Sequence, residues 1–307
     1  MPKTILHVGL HKSASTYLQR QIFPQSKHHL LLTLPYTSHN GPLQLLQYGD
    51  DTAYSKDLLQ EELAKLPTDS LILSDEGLSG CPLPLHNVNR SMIARRLSEV
   101  FPDAEIVLFL RDQRDYCISH YSSYIKMPYG FNEFENFLHI RNEEYSFDQY
   151  QRNEPPRSMG SLHYDISDYY LSLDSLKYTR VIELYETLFP KCHVFLFEDL
   201  ITDPVATVAR LGEICGETFE HREVRENTSL SPRQIVKIRR RNLVNRVQGK
   251  VLRGILRSTY KLMPVLRAQD TRKIAAEKIG NYFTADNAAL RRKLSNVDWD
   301  KHVGKYL

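Results

Sequence analysis

Thr4-Ile5-Leu6-His7-Val8 followed by Gly9-Leu10-His11-Lys12-Ser13-Ala14-Ser15-Thr16 is the passage on which the fold turns. The first five residues are largely apolar and β-prone, as in a strand covered on both faces. Gly9 ends the run, and a polar loop with two hydroxyls and a lysine leads into a helical pattern over residues 16–23. Backbone N–H groups at such a helix start, joined by hydroxyls and an ammonium, make a cradle for a phosphate-like anion. The bland alternative is an ordinary N-cap supplied by Ser13 or Ser15. The lysine lies mid-loop with no Gly-Lys-Ser/Thr ending, so this is not the nucleoside-triphosphate loop. The lack of Gly-x-Gly-x-x-Gly disfavours a dinucleotide fold.

The same unit recurs along the chain. Residues 71–74 (LILS), 106–110 (IVLFL) and 193–197 (HVFLF) read as strands, with 29–34 (HLLLTL) a weaker one. Helical patterns over 90–101 and 175–189 lie between them, the latter with Leu176, Val181, Leu184 and Leu188 on one face. Alternation of this kind predicts a three-layer α/β fold, a P-loop-like parallel sheet flanked by helices, with a helical C-terminal extension. Ligands of such sheets sit at the carboxyl ends of the strands, which directs attention to the loops after Val8, Ser74 and Leu110. The second of these begins Asp75-Glu76-Gly77. The third begins with Arg111, and Ser119 follows eight residues on, where the next helix is expected to begin. An arginine on a strand end and a serine in the following first turn can grip a phosphate from two sides. The alternative is a surface pair between Asp115 and Arg111 or Arg114, worth little. Two anion sites on neighbouring loops imply a ligand with a phosphate at each end.

These residues resemble the sulfotransferase superfamily that uses 3′-phosphoadenosine 5′-phosphosulfate. GLHKSAST corresponds to the loop that binds the 5′-phosphosulfate end in that family, with Ala14 where glycine is usual. The resemblance therefore implies donor contacts from His11, Lys12, Ser13, Ala14, Ser15 and Thr16, and 3′-phosphate contacts from Arg111 and Ser119. Phe197-Glu198-Asp199-Leu200 with Asp203-Pro204 is a further family marker, as are Tyr282-Phe283, Asn287 and Leu290. Asn227-Thr228-Ser229 resembles the segment that closes over the nucleotide, which implicates Asn227 and Ser229. The implied reaction is in-line sulfuryl transfer to an acceptor hydroxyl, needing positioning, charge and a base rather than a covalent intermediate; no metal is expected. Lys12 is the expected charge at the leaving oxygen. Glu76 is the expected base, its pKa raised by partial burial. His39 is the rival base and His11 the third choice; Asp75 or Glu76 could instead cap a turn. A P-loop nucleotide kinase and a non-catalytic nucleotide-binding module are the competing readings.

Composition bounds the rest. The 307 residues, 41% hydrophobic, suffice for one large domain and exclude intrinsic disorder. No apolar run approaches the roughly 18 residues of a membrane span, and the N-terminus reads straight into a strand, so a soluble, non-secreted, cytoplasmic protein is expected. Cys81, Cys117, Cys192 and Cys215 form no Cys-x-x-Cys pair and are expected as reduced thiols. The whole chain, 1–307, is expected to be a single domain with 231–280 as a basic helical extension. Residues 231–273 carry +12 and the remainder therefore −9. Positions 246, 250, 253, 257 and 261 step along one helical face opposite Val244, Val247, Val251 and Ile255. This charge suits a solvated face, an anionic polysaccharide or glycolipid acceptor, or a peripheral membrane contact. Arg239, Arg240 and Arg241 offer another route to the 3′-phosphate. No nucleic-acid-binding signature accompanies the charge. The aromatic stretch 116–170 could form a sugar-stacking wall or a packed lid.

Overall fold

The computed structural model describes residues 3–80, 89–128, 130, 132–139, 171–223, 230–247, 249–259 and 270–306. Five strands make a wholly parallel sheet: β1 (Thr4–His7), β2 (Leu30–Leu32), β3 (Leu71–Ser74), β4 (Glu105–Leu110) and β5 (Lys191–Leu196), in the order β2-β3-β1-β4-β5. The near-continuous apolar runs account for this. Ile5, Leu6, Ile72, Leu73, Val107 and Leu108 are fully buried, as parallel strands between helical layers must be. The fifth strand ends one residue early, because Phe197 opens the helix Phe197–Thr202.

The chain leaves β1 toward β2 on one side of the sheet and leaves β4 toward β5 on the other. The switch point, where a ligand crevice opens in such sheets, therefore lies between β1 and β4. Pairing of these two strands runs on past the end of β1: Val8 N donates to Val107 O at 3.2 Å and Leu10 N to Phe109 O at 3.3 Å.

Two compact units divide the chain. Met1–Tyr116, Lys177–Thr228 and Asn281–Leu307 form the first, Cys117–Leu176 and Ser229–Gly280 the second. In the first, the helix Tyr178–Leu188 buries Tyr178, Val181, Ile182 and Tyr185, whereas Leu184 and Leu188 are half-exposed. Of the expected face Leu176 and Val181 are buried, while Tyr178 and Tyr185 rather than Leu184 and Leu188 complete it, their rings supplying more buried surface. The Phe-Glu-Asp-Leu run holds the chain's end. Tyr306 Oη donates to Glu198 Oε2 at 2.6 Å, His302 Nε2 is hydrogen-bonded to Asp199 Oδ1 at 2.8 Å, and Tyr306 N donates to Asp112 Oδ2 at 2.7 Å. Phe283, Asn287 and Leu290 are core residues here, Asn287 exchanging amide contacts with buried Gln113.

In the second unit Tyr121 and Tyr124 pack against Phe134 and Phe137 with all four rings buried, so the start of the aromatic stretch is core rather than an open wall. Residues 140–170 lie outside the description. Asn242 donates to the carbonyls of Ile125, Met127 and Gly130, tying the helix Pro232–Arg246 to the turn after Lys126. The basic segment is not one helix. It breaks at Gly249, whose φ of 94° favours glycine, and resumes as Lys250–Thr259. Positions 246 and 250 therefore do not share a continuous face, and 261 lies outside the description. Burial pushes the thiols of Cys192 and Cys215 up to about 12, and Cys117 is buried as well; Cys81 is not described.

Two carboxylates pin the first unit. Burial alone would raise Glu105, but His193, Lys191 and Lys3 converge on it and hold it at about 2. Burial likewise opposes the ionised form of Glu217, yet Ser26 and the backbone of His28 and Lys27, with His29, hold it at about 2. Both titrate lower folded than unfolded, so the unfolded chain binds protons first as pH falls. Their contribution is whole above about 4.5 and lost toward about 2. Melting temperature should fall steeply across that window. Glu217→Gln should lower the melting temperature at pH 7 and flatten the fall, as thermal unfolding followed by circular dichroism will read.

Candidate functional site

Gly9, at the exit of β1, has φ 89°. A Cβ there would stand 3.0 Å from the Cα of Glu76 and 3.2 Å from its Cβ. Glycine therefore lets the first loop lie against the turn after β3. Lys12 (φ 63°) and Ala14 (φ 71°) are left-handed, with Ser13 between them. Such alternation turns successive backbone N–H groups toward one side, as in an anion nest. It also explains why glycine suits position 14.

The alternative of a serine cap is not formed. Ala14 occupies the N-cap of the short helix Ser15–Tyr17 and no side chain caps it. Ser13 Oγ donates to His11 O at 3.5 Å and Ser15 Oγ to Leu10 O at 3.4 Å, both buried and both weak. Among the described residues the first-turn N–H groups thus have no side-chain cap. Thr16 is partly exposed on the helix.

After β3, Asp75 and Glu76 divide the two roles open to them. Asp75 caps the turn Glu76–Ser79, accepting from Gly77 N at 2.8 Å, and its other oxygen accepts from Gln47 Nε2 at 2.7 Å and from Thr37. Glu76 is left free of the cap, 41% exposed, with His11 Nδ1 3.3 Å from its Oε1. Burial opposes its ionised form, but the His11 hydrogen bond and charge, with Lys12 and His7, outweigh this and lower its pKa. The expectation of a raised value is overturned: a carboxylate beside a basic loop is held ionised. Beneath it, burial drives His7 down to about 4, and its Nδ1 is hydrogen-bonded to Ser74 Oγ at 2.7 Å. His39 is exposed and packs edge-on against Tyr48 at 6.2 Å. Among the described residues it has no hydrogen bond or ion pair to the 9–16 loop.

After β4, Arg111 Nη1 donates to Lys12 O at 2.8 Å, which joins the loops after β1 and β4 directly. The guanidinium lies 4.5 Å from the ring centre of Phe197, and Tyr178 Oη donates to Arg111 O at 2.6 Å. Its Nε is buried with no hydrogen-bond partner among the described residues. Asp112 caps the helix Gln113–Lys126, accepting from Arg114 N and Asp115 N, while Asp112 N donates to Glu198 Oε1 at 3.0 Å. Asp115 pairs with Lys305 rather than with the neighbouring arginines. Ser119 is not in the first turn: the helix begins at Gln113 because Asp112 caps it, which puts Ser119 six residues, about 9 Å, further along. Arg239 pairs with Glu133, and Arg241 with Asn242. Asn227 and Ser229 lie outside the described residues. Among those described, no three His, Cys, Asp or Glu side chains gather as a metal site would require.

Tyr178 and Tyr306, which shape the Arg111 loop with the marker residue Phe197, escape a sequence reading. Their signals were ambiguous: one tyrosine in an amphipathic helix, one in a short tail.

The fold and loops define a parallel α/β protein whose loops after β1 and β4 meet at the switch point between those strands. A family model described as the sulfotransferase family matches residues 43–221, more than half of the chain, and the chain belongs to that family. The match includes Glu76, Arg111 and Ser119 but begins after the 9–16 loop. A sulfotransferase from Alicyclobacillus acidocaldarius, known by crystal structure, is similar with a TM-score of 0.47 and 16% identity, covering 85% of this chain and 99% of that one. No curated protein matches significantly.

Gly9→Ala should cost about 1–2 kcal/mol from its left-handed backbone alone. The methyl contact with Glu76 adds to that cost. Urea unfolding will measure the loss, and a change of under 0.5 kcal/mol would show that the two loops are not in close contact.

Proposed function

We propose that the chain moves a sulfuryl group from 3′-phosphoadenosine 5′-phosphosulfate to a hydroxyl of a carbohydrate or glycolipid acceptor, by in-line displacement. The observation that carries this reading is the Arg111–Lys12 bond, which brings two expected anion-binding loops together at the switch point. The residues suit such a donor. The uncapped start of the first helix, Ser13, Ser15 and Thr16 offer donors to its phosphosulfate end, with His11, Lys12 and Ala14 lining the loop. The buried Nε of Arg111 lacks a partner and suits a phosphate oxygen. Ser119, Asn227 and Ser229 complete the set by resemblance. We read 1–307 as one transferase domain with 231–280 as its basic helical extension, acting in the cytoplasm.

The donor supplies an activated sulfuryl group; the chain's own residues supply charge and a base. The new bond forms between the acceptor oxygen and sulfur as the bond from sulfur to the 5′-phosphate oxygen breaks. Lys12 offsets negative charge on the leaving oxygen, and Glu76 takes the acceptor proton. A lowered pKa suits that role, since Glu76 is ionised at neutral pH and ready to accept. His11, beside it, orients the carboxylate. The reading gives no part to a metal.

Lys12→Ala should cut turnover at least ~100-fold while 3′,5′-diphosphoadenosine still binds by calorimetry. Near-normal turnover would remove its role, and preference for ATP with magnesium over that nucleotide would favour a kinase instead. Retained nucleotide binding without transfer to any polysaccharide, lipid or small-molecule acceptor would leave a non-catalytic module.

Glu76→Gln should abolish most transfer, whereas His39→Ala should leave it within about threefold, as a labelled-donor assay will compare. Because Glu76 titrates below the ordinary glutamate range, the acid limb of kcat/KM should fall below pH ~4.5. Activity retained in Glu76→Gln would displace it as the base.

A further inference from the structure

A helix of a globular protein normally turns its apolar stripe inward. Lys250–Thr259 does the reverse. At about 100° per residue, Val251, Leu252, Ile255 and Leu256 fall within an arc of about 140°, and Lys250, Arg253 and Arg257 cluster on the opposite side. The basic side faces the rest of the helical hairpin: Arg253 Nε donates to Val247 O at 2.9 Å, and Arg257 Nη2 to Asn245 Oδ1 at 2.9 Å. The apolar side faces water, with Val251 79%, Leu252 52% and Ile255 55% exposed, and none of the helix's residues is buried. A β-branched residue four-fifths exposed beside two half-exposed aliphatics is a contiguous strip, not scattered surface apolarity.

We propose that this helix is a docking element for an anionic lipid surface. Charge decides the occupant. Residues 231–273 carry +12, with Asp270 their one acid, so an anionic bilayer is attracted through the Debye length while its acyl boundary accepts the aliphatic strip. A second copy of the chain fits worse. It would bring two +12 segments together, and four aliphatic side chains fall well short of the roughly 800 Å² per partner of a stable dimer. An anionic polysaccharide would pair with the cations and leave the strip in water. The inference stands apart from the choice of sulfuryl donor.

Sedimentation of the full chain with vesicles tests it. Vesicles of phosphatidylglycerol mixed with phosphatidylcholine should bind the protein at least tenfold more tightly than pure phosphatidylcholine, and added salt should weaken that binding. The Leu252→Ser/Ile255→Ser variant alters only exposed positions; it should bind at least tenfold more weakly with an unchanged circular dichroism spectrum. Failure to bind the mixed vesicles, equal binding to both kinds, or undiminished binding by the variant would overturn the proposal. So would a dimer in sedimentation velocity that the same variant dissolves, or retention on heparin without vesicle binding.

Discussion

β1 is hydrogen-bonded to β3 on one side and β4 on the other, and each of those three strands carries one part of the candidate site at its carboxyl end. The lateral spacing of parallel strands, close to ~4.8 Å, thus sets how near Lys12, Glu76 and Arg111 can come. Two local features convert that spacing into contact. Gly9 has no Cβ to hold the first loop away from Glu76, and Arg111 reaches across to the Lys12 carbonyl. Either contact alone would leave one loop free to move. Together they fix the cradle from both neighbouring strands, and this is preorganisation of the kind that charge-stabilising sites require.

The electrostatics follow from that packing. A carboxylate placed against a basic loop stays ionised, and the same loop is poised to receive anionic charge. An anion entering the cradle would offset Lys12 and His11, so the field that now lowers Glu76 would weaken as the site fills. The proton affinity of Glu76 would in this way follow the charge present at the first loop. The shell around Arg111 serves the same end by other means. Tyr178 holds the Arg111 carbonyl, Phe197 lies against the guanidinium, and the Asp112–Glu198–Tyr306 network fixes the following residue, leaving the buried Nε without a hydrogen-bond partner among the described residues.

The strands were legible because burial on both faces leaves near-continuous apolar runs, a pattern helical segments of that length do not produce. The loops were legible for the complementary reason that glycine, hydroxyls and cations cluster only where a strand stops. What failed were statements that depend on a single residue's neighbours. Asp112 begins the helix early by capping it, so Ser119 is deeper than its spacing from Arg111 implied. Tyr178 and Tyr185 take the buried face that the leucines seemed to mark. Glu76 is lowered rather than raised, because burial was visible in the sequence and the His11 contact was not.

Gly249 shows how one residue redirects a helical face. Read as a continuous helix, residues 246–261 align their cations on one stripe and resemble a solvated face. Broken by a left-handed glycine, the chain folds back, Arg253 and Arg257 turn toward Val247 and Asn245, and the aliphatic strip is left outside. The cost of exposing that strip is offset only if something apolar covers it. Because the rest of the chain carries −9, an anionic bilayer that attracts the 231–273 segment repels the remainder. Opposed forces of that kind orient a bound molecule as well as retain it.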